Sequence, residues 1–121
     1  MILNELLEKI NQEMFDEIDC DSILDLRDCE VFDSNWINLY KQIEQLKLTK
    51  EYSEESKRFS DEYRKKAFLQ VYNLSQNSDL AACISDDLGL IFDSMKLGVT
   101  TSWLDKLIQS YRSSKIPCGN L

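Results

Sequence analysis

Two places in the chain gather carboxylates closely enough for chemistry. Asp86 and Asp87 stand side by side in an otherwise apolar run, and residues 13–33 hold nine acids with a single base, Arg27. Paired carboxylates can do acid–base work when a cleft and a second partner bring a substrate to them. Neighbouring residues on a helix point about 100° apart, so one of Asp86 and Asp87 should lie off the apolar stripe. No second catalytic partner is visible in the sequence, and a polar face opposite Leu88 and Ile91 accounts for the pair. If exposed, either residue is a candidate for contact with a partner.

Other chemistries lack their residues. The chain has no histidine, which removes the commonest general base and the commonest nitrogen ligand, and with them any Cys–His or Ser–His dyad. The cysteines Cys20, Cys29, Cys83 and Cys118 form no C-x-x-C pair and no zinc-module spacing, so free thiols are expected. Asp19 and Asp21 begin like a calcium loop, but Ile23 and Leu24 stand where a ligand and a glycine are needed. No glycine-rich phosphate loop occurs. The expectation is a protein that is not an enzyme and carries no metal and no cofactor.

The net charge is −8, and the block at 13–33 accounts for all of the excess, because residues 34–121 hold eleven acids and twelve bases. Arg64-Lys65-Lys66 is the only compact basic cluster, and Asp61 and Glu62 pair with it at helical spacing. A phosphate backbone would repel such a chain, so direct nucleic-acid binding is disfavoured. Two readings of the acidic block stay open: a solubilising connection, or a surface for a basic protein.

The elements that position these residues are helical. Phe59, Tyr63, Ala67, Val71 and Leu74 form one stripe, and Leu80, Ile84, Leu88, Ile91 and Met95 another. Asn77-Ser78-Asp79 between them is a turn with Ser78 as N-cap, so 59–97 is an antiparallel helical hairpin and the hub of the fold. Residues 2–14 read as a first helix. Residues 15–33 read as an irregular or short-helical connection anchored by Ile23, Leu24 and Leu26. Asp33-Ser34 opens a helix to about Leu48, with Trp36, Ile37, Tyr40, Ile43 and Leu46 inward. Gly98 closes the hairpin, and Thr100-Thr101 caps a last helix over 102–114 with Trp103, Leu107 and Tyr111 inward. The fold class is all-α: one domain of about five helices around the hairpin.

At 121 residues, 43% of them hydrophobic, the chain can bury roughly two-thirds of its unfolded surface without disulfide or metal staples. The start lacks a basic region before its apolar residues, and no run nears 18 apolar residues, so neither a secretory signal nor a membrane span is expected. A cytoplasmic location is expected.

From Arg64 to Pro117 a further pattern appears: Ala67-Phe68-Leu69-Gln70-Val71-Tyr72, then Ser78-Asp79-Leu80-Ala81-Ala82-Cys83-Ile84-Ser85-Asp86-Asp87-Leu88-Gly89-Leu90-Ile91, then Gly98, Trp103-Leu104, Tyr111 and Pro117. This resembles small all-helical bacterial immunity proteins of polymorphic toxin and contact-dependent growth inhibition systems. Its most specific part is Ser85-Asp86-Asp87. The resemblance covers a little under half the chain and leaves the acidic block outside it. Relatives often carry acids just before the tryptophan, where this chain has Thr100-Thr101-Ser102. The resemblance implies a cytosolic protein that binds and blocks one toxin domain, often a nuclease with a basic active site. On that reading the contacts are Asp16, Glu17, Asp19, Asp21, Asp25, Asp28 and Glu30, with Asp86 or Asp87 if exposed. Desolvated anchors, an aromatic or two within the block, would add affinity. The alternative is an adaptor that seats a partner helix in an apolar groove beside Trp36 or Trp103.

Overall fold

The computed structural model describes residues 2–121. Among the described residues seven helices make up the architecture: α1 (Ile2–Lys9), α2 (Gln12–Phe15), α3 (Cys20–Arg27), α4 (Glu30–Thr49), α5 (Glu54–Ser75), α6 (Ser78–Leu97) and α7 (Ser102–Arg112). No strand occurs among the described residues, and no helix is long and apolar enough to cross a membrane.

The hairpin α5–α6 is the centre, as expected. Ser53 Oγ accepts from Ser56 N at 3.1 Å and starts α5, with Glu54 and Glu55 in the first turn where the helix dipole favours anions. The cap of α6 is Asn77 rather than Ser78: Asn77 Oδ1 accepts from Leu80 N at 2.9 Å. Gly98, at φ +73°, closes α6, and Val99 N returns to Ser94 O at 2.8 Å. Only a residue tolerant of the left-handed region can make that closure without strain.

Helix α6 is buried on most sides: Leu80, Ala81, Ile84, Leu88, Leu90, Ile91, Phe92 and Leu97 all lie in the core. Its partner line on α5 is Ser56, Ser60, Ala67 and Val71. Small side chains there let the two backbones approach. Phe59 and Met95, placed on the two stripes by spacing, are instead exposed.

Two boundaries differ from expectation, and the short-helical connection expected over 15–33 holds a helix of its own, so the described residues form seven helices rather than about five. The first helix breaks at Ile10-Asn11, and Gln70 Nε2 donates to the carbonyls of Leu7 (2.6 Å) and Ile10. The break lets Ile10, Met14 and Phe15 all enter the core. The acidic connection contains α3, an eight-residue helix capped by Asp19. Helix α4 starts at Glu30, ahead of Asp33-Ser34, with Cys29 at its N-cap position and no side-chain cap bond. Phe32 explains the early start. It is buried against Trp103, ring centroids 5.4 Å apart, and must already be helical to reach it. The buried line of α4 is consequently Phe32, Leu39 and Ile43, flanked by Trp36 and Leu46, while Ile37 and Tyr40 turn outward.

The acidic surface, its buried counterpart and two hollows

The nine acids of the block, Glu13, Asp16, Glu17, Asp19, Asp21, Asp25, Asp28, Glu30 and Asp33, are all exposed. They spread over α2, α3, the first turn of α4 and the connections between these helices. Arg27, the one base among them, turns the other way and is only 6% exposed. The surface of this block is therefore purely anionic. Its phenyl rings, Phe15 and Phe32, are both buried, so aromatic anchors within the block are absent from the surface. The exposed apolar side chains there are Leu26 and Val31. Asp19 has a structural duty as well: its carboxylate accepts from Asp21 N (3.1 Å), Ser22 N (3.4 Å) and Ser22 Oγ (3.1 Å).

Arg27 meets Asp87. Its Nη1 donates to Asp87 Oδ2 at 2.9 Å and its Nη2 to Asp87 Oδ1 at 2.7 Å, a two-pronged geometry suited to guanidinium and carboxylate. Trp36 Nε1 adds a bond to Oδ1 at 2.9 Å and Tyr111 Oη one to Oδ2 at 2.6 Å. Arg27 also reaches Pro117 O at 3.0 Å and lies 4.6 Å from the Phe32 ring centroid. Asp87, 0% exposed, thus ties α3, α4, α7 and the C-terminal segment to α6. Burial disfavours the Arg27 cation, but the Asp87 charge overrides this and raises its pKa. Burial, followed by the Asp87 charge, raises the Tyr111 hydroxyl well above its ordinary value.

Neither a polar outer face nor a partner contact describes Asp87, because the bundle encloses it. Asp86 does reach the surface. Arg64 Nη2 donates to Asp86 Oδ1 at 2.7 Å, and Arg64 Nη1 lies 3.8 Å from Asp61. The aliphatic part of Arg64 rests on Gly89, where an added Cβ would come within 2.6 Å of Arg64 Cδ. The adjacent pair is split, one carboxylate inward and one outward.

Two hollows share Asp86 and Trp36. The larger, about 380 Å³, lies between α4, α5 and α6, with Trp36, Tyr40 and Lys47 on one wall, Arg64 on the other and Asp86, Gly89 and Asp93 along the floor. The smaller, about 180 Å³, adds Asp28, Phe32, Asp33 and Cys83. Within the larger, Lys47 Nζ bridges Asp93 (3.2 Å) and Glu44 (3.3 Å) and lies 4.5 Å from the Tyr52 ring centroid. Tyr52 Oη donates to Asp93 Oδ1. Burial lowers the Lys47 pKa, yet the facing Asp93 outweighs it and the net shift is upward. Burial and Asp93 together raise Tyr52.

The four cysteines are free, and burial raises the thiols of Cys83 and Cys118. Among the described residues no group of three or more His, Cys, Asp or Glu side chains is placed to hold a metal ion.

The sequence reading missed the Asp87 centre, although two signals pointed to it. Asp87 falls three residues after Ile84 and four before Ile91, on the buried spacing of its own helix. Arg27 is the lone base in an acidic block, where a surface role would set it among opposite charges without fixing it.

The family profile described as Immunity protein PIM1 matches residues 2–118. No curated protein matches the sequence. The match takes in the acidic block, so family likeness extends well ahead of Arg64, where the sequence resemblance alone began. Matched across nearly its whole length, the chain belongs to the immunity protein PIM1 family.

Proposed function

We propose that this immunity protein neutralises its toxin by laying the acidic face of α2, α3 and the start of α4 over a basic surface of the toxin domain, most simply the substrate-binding surface of a nuclease. It acts in the cytoplasm, without catalysis of its own. One observation carries the reading: the nine carboxylates of residues 13–33 are all exposed, and the only base among them is withdrawn into the core. A face of one sign steers encounter with the opposite sign and raises the association rate more than it raises affinity charge by charge. Exposed Leu26 and Val31 provide apolar contact within that face. An adaptor seating a partner helix in an apolar groove has less support, because Trp103 packs on Phe32 and the open cleft beside Trp36 is lined by charged groups.

The test uses the toxin domain encoded beside this chain and its activity on nucleic acid. Equimolar immunity protein should abolish that activity, and the Asp16→Lys/Asp21→Lys/Asp25→Lys variant should bind more slowly while keeping its helical content. These three positions leave the Asp19 cap intact. Full inhibition with unaltered association by the variant would refute the electrostatic mechanism. A toxin domain that does not act on nucleic acid would refute the nuclease assignment.

A further inference from the structure

We infer that the cleft between α4, α5 and α6 receives a basic side chain, arginine or lysine, from the toxin, and that this side chain takes Asp86 over from Arg64. The inference rests on the immunity reading above and names a second contact within it.

The cleft has the parts a cation needs. Its volume of about 380 Å³ exceeds that of any single side chain. Trp36 and Tyr40 stack along one wall with centroids 5.6 Å apart and planes 19° apart, offering flat faces to a guanidinium or ammonium group. Asp86 lies on the floor with its side chain 48% exposed. Lining carboxylates outnumber lining cations, with Glu44, Asp86 and Asp93 against Lys47 and Arg64. Lys47 is fully engaged by Asp93 and Glu44.

Arg64 holds Asp86 only as a half-exposed surface pair, the kind that contributes little and exchanges readily. A toxin side chain reaching the same carboxylate would do so as the interface closes and water leaves, where a charge-assisted hydrogen bond is stronger. Arg64 retains Asp61 as its alternative partner. The position suits the proposed interface, because Asp86 and Trp36 also line the smaller hollow with Asp28 and Asp33 of the acidic block. Through the smaller hollow the cleft adjoins two carboxylates of the acidic block.

The experiment measures association and dissociation of the catalytically inactivated toxin domain with Asp86→Asn, Tyr40→Ala and Arg64→Gln. Asp86→Asn and Tyr40→Ala should each speed dissociation by roughly tenfold or more, with association and melting temperature little changed. Arg64→Gln should bind at least as tightly as the parent chain, because the internal competitor is gone. Crossing Asp86→Asn with alanine variants of the toxin's own arginines and lysines should reveal one residue coupled to Asp86. Unchanged dissociation for Asp86→Asn, an Arg64→Gln variant that weakens binding, or no coupled toxin residue would each overturn the inference. If the parent chain binds and only the Asp16, Asp21 and Asp25 reversals matter, the cleft assignment fails while the acidic-face reading stands. Failure of the parent chain to bind overturns both.

Discussion

Replacing Asp87 with asparagine conserves volume and removes one charge from the bundle's centre. Asp87 is fully buried and Arg27 nearly so, so the guanidinium would be left inside without its counter-ion. The asparagine amide would also set a donor against Arg27, Trp36 or Tyr111, all of which donate to Asp87 now. Removing one partner of a buried pair costs about 3–5 kcal/mol. For a domain of this size that corresponds to a fall of roughly 10–25 °C in melting temperature. Tyr111→Phe deletes a single bond to the carboxylate and should cost about 1.5–3 kcal/mol. The double replacement Arg27→Met with Asp87→Leu removes both charges and should be far less harmful than the two single losses added together. Trp36 Nε1, Tyr111 Oη and Pro117 O would lose partners, so recovery stays incomplete. Urea and thermal unfolding followed by circular dichroism measure the parent chain, Asp87→Asn, Tyr111→Phe, the double variant and its two component single variants. A loss below ~1 kcal/mol for Asp87→Asn, or strict additivity in the double variant, would refute the view that this pair locks the bundle.

Gly98→Ala places a side chain in the left-handed region with open space around it, so backbone strain alone should lower stability by about 1 kcal/mol in a urea titration. Tyr52, Tyr111 and Lys47 all have raised pKa values in the folded state, so each contributes stability that is complete below its unfolded value, near pH 10, and is lost as pH rises through the folded value. Stability should hold through neutral pH and fall above about pH 10, and in near-ultraviolet titration tyrosinate should appear at Tyr52 and Tyr111 only as the protein unfolds. Burial raises the thiols of Cys83 and Cys118, so mass spectrometry after brief alkylation of the native protein at neutral pH should find both largely unmodified.

The helical hairpin was legible because its signals are local. Apolar spacing, a polar turn at Asn77 and a glycine at 98 each act within a turn or two of chain. The start of α4 was not legible, because Asp33-Ser34 has the composition of a cap while burial of Phe32 against Trp103 decides the boundary. Along the same helix Ile37 and Tyr40 lie off the buried line of Phe32, Leu39 and Ile43. Asp86 and Asp87 show the limit most clearly. Spacing separates their directions by about 100° but does not tell which carboxylate meets a buried arginine sixty residues earlier. The acidic block was visible as composition; its purity as a surface was not, because that depends on where Arg27 points.

The association rate of the inactivated toxin domain as a function of salt tests the central claim most directly. For the parent chain the rate should fall steeply as ionic strength rises, because screening shortens to about 8 Å at physiological salt. The Asp16→Lys/Asp21→Lys/Asp25→Lys variant should start slower at low salt and lose much of that slope. A parent rate indifferent to salt, or the same slope in both proteins, would contradict recognition through the acidic face.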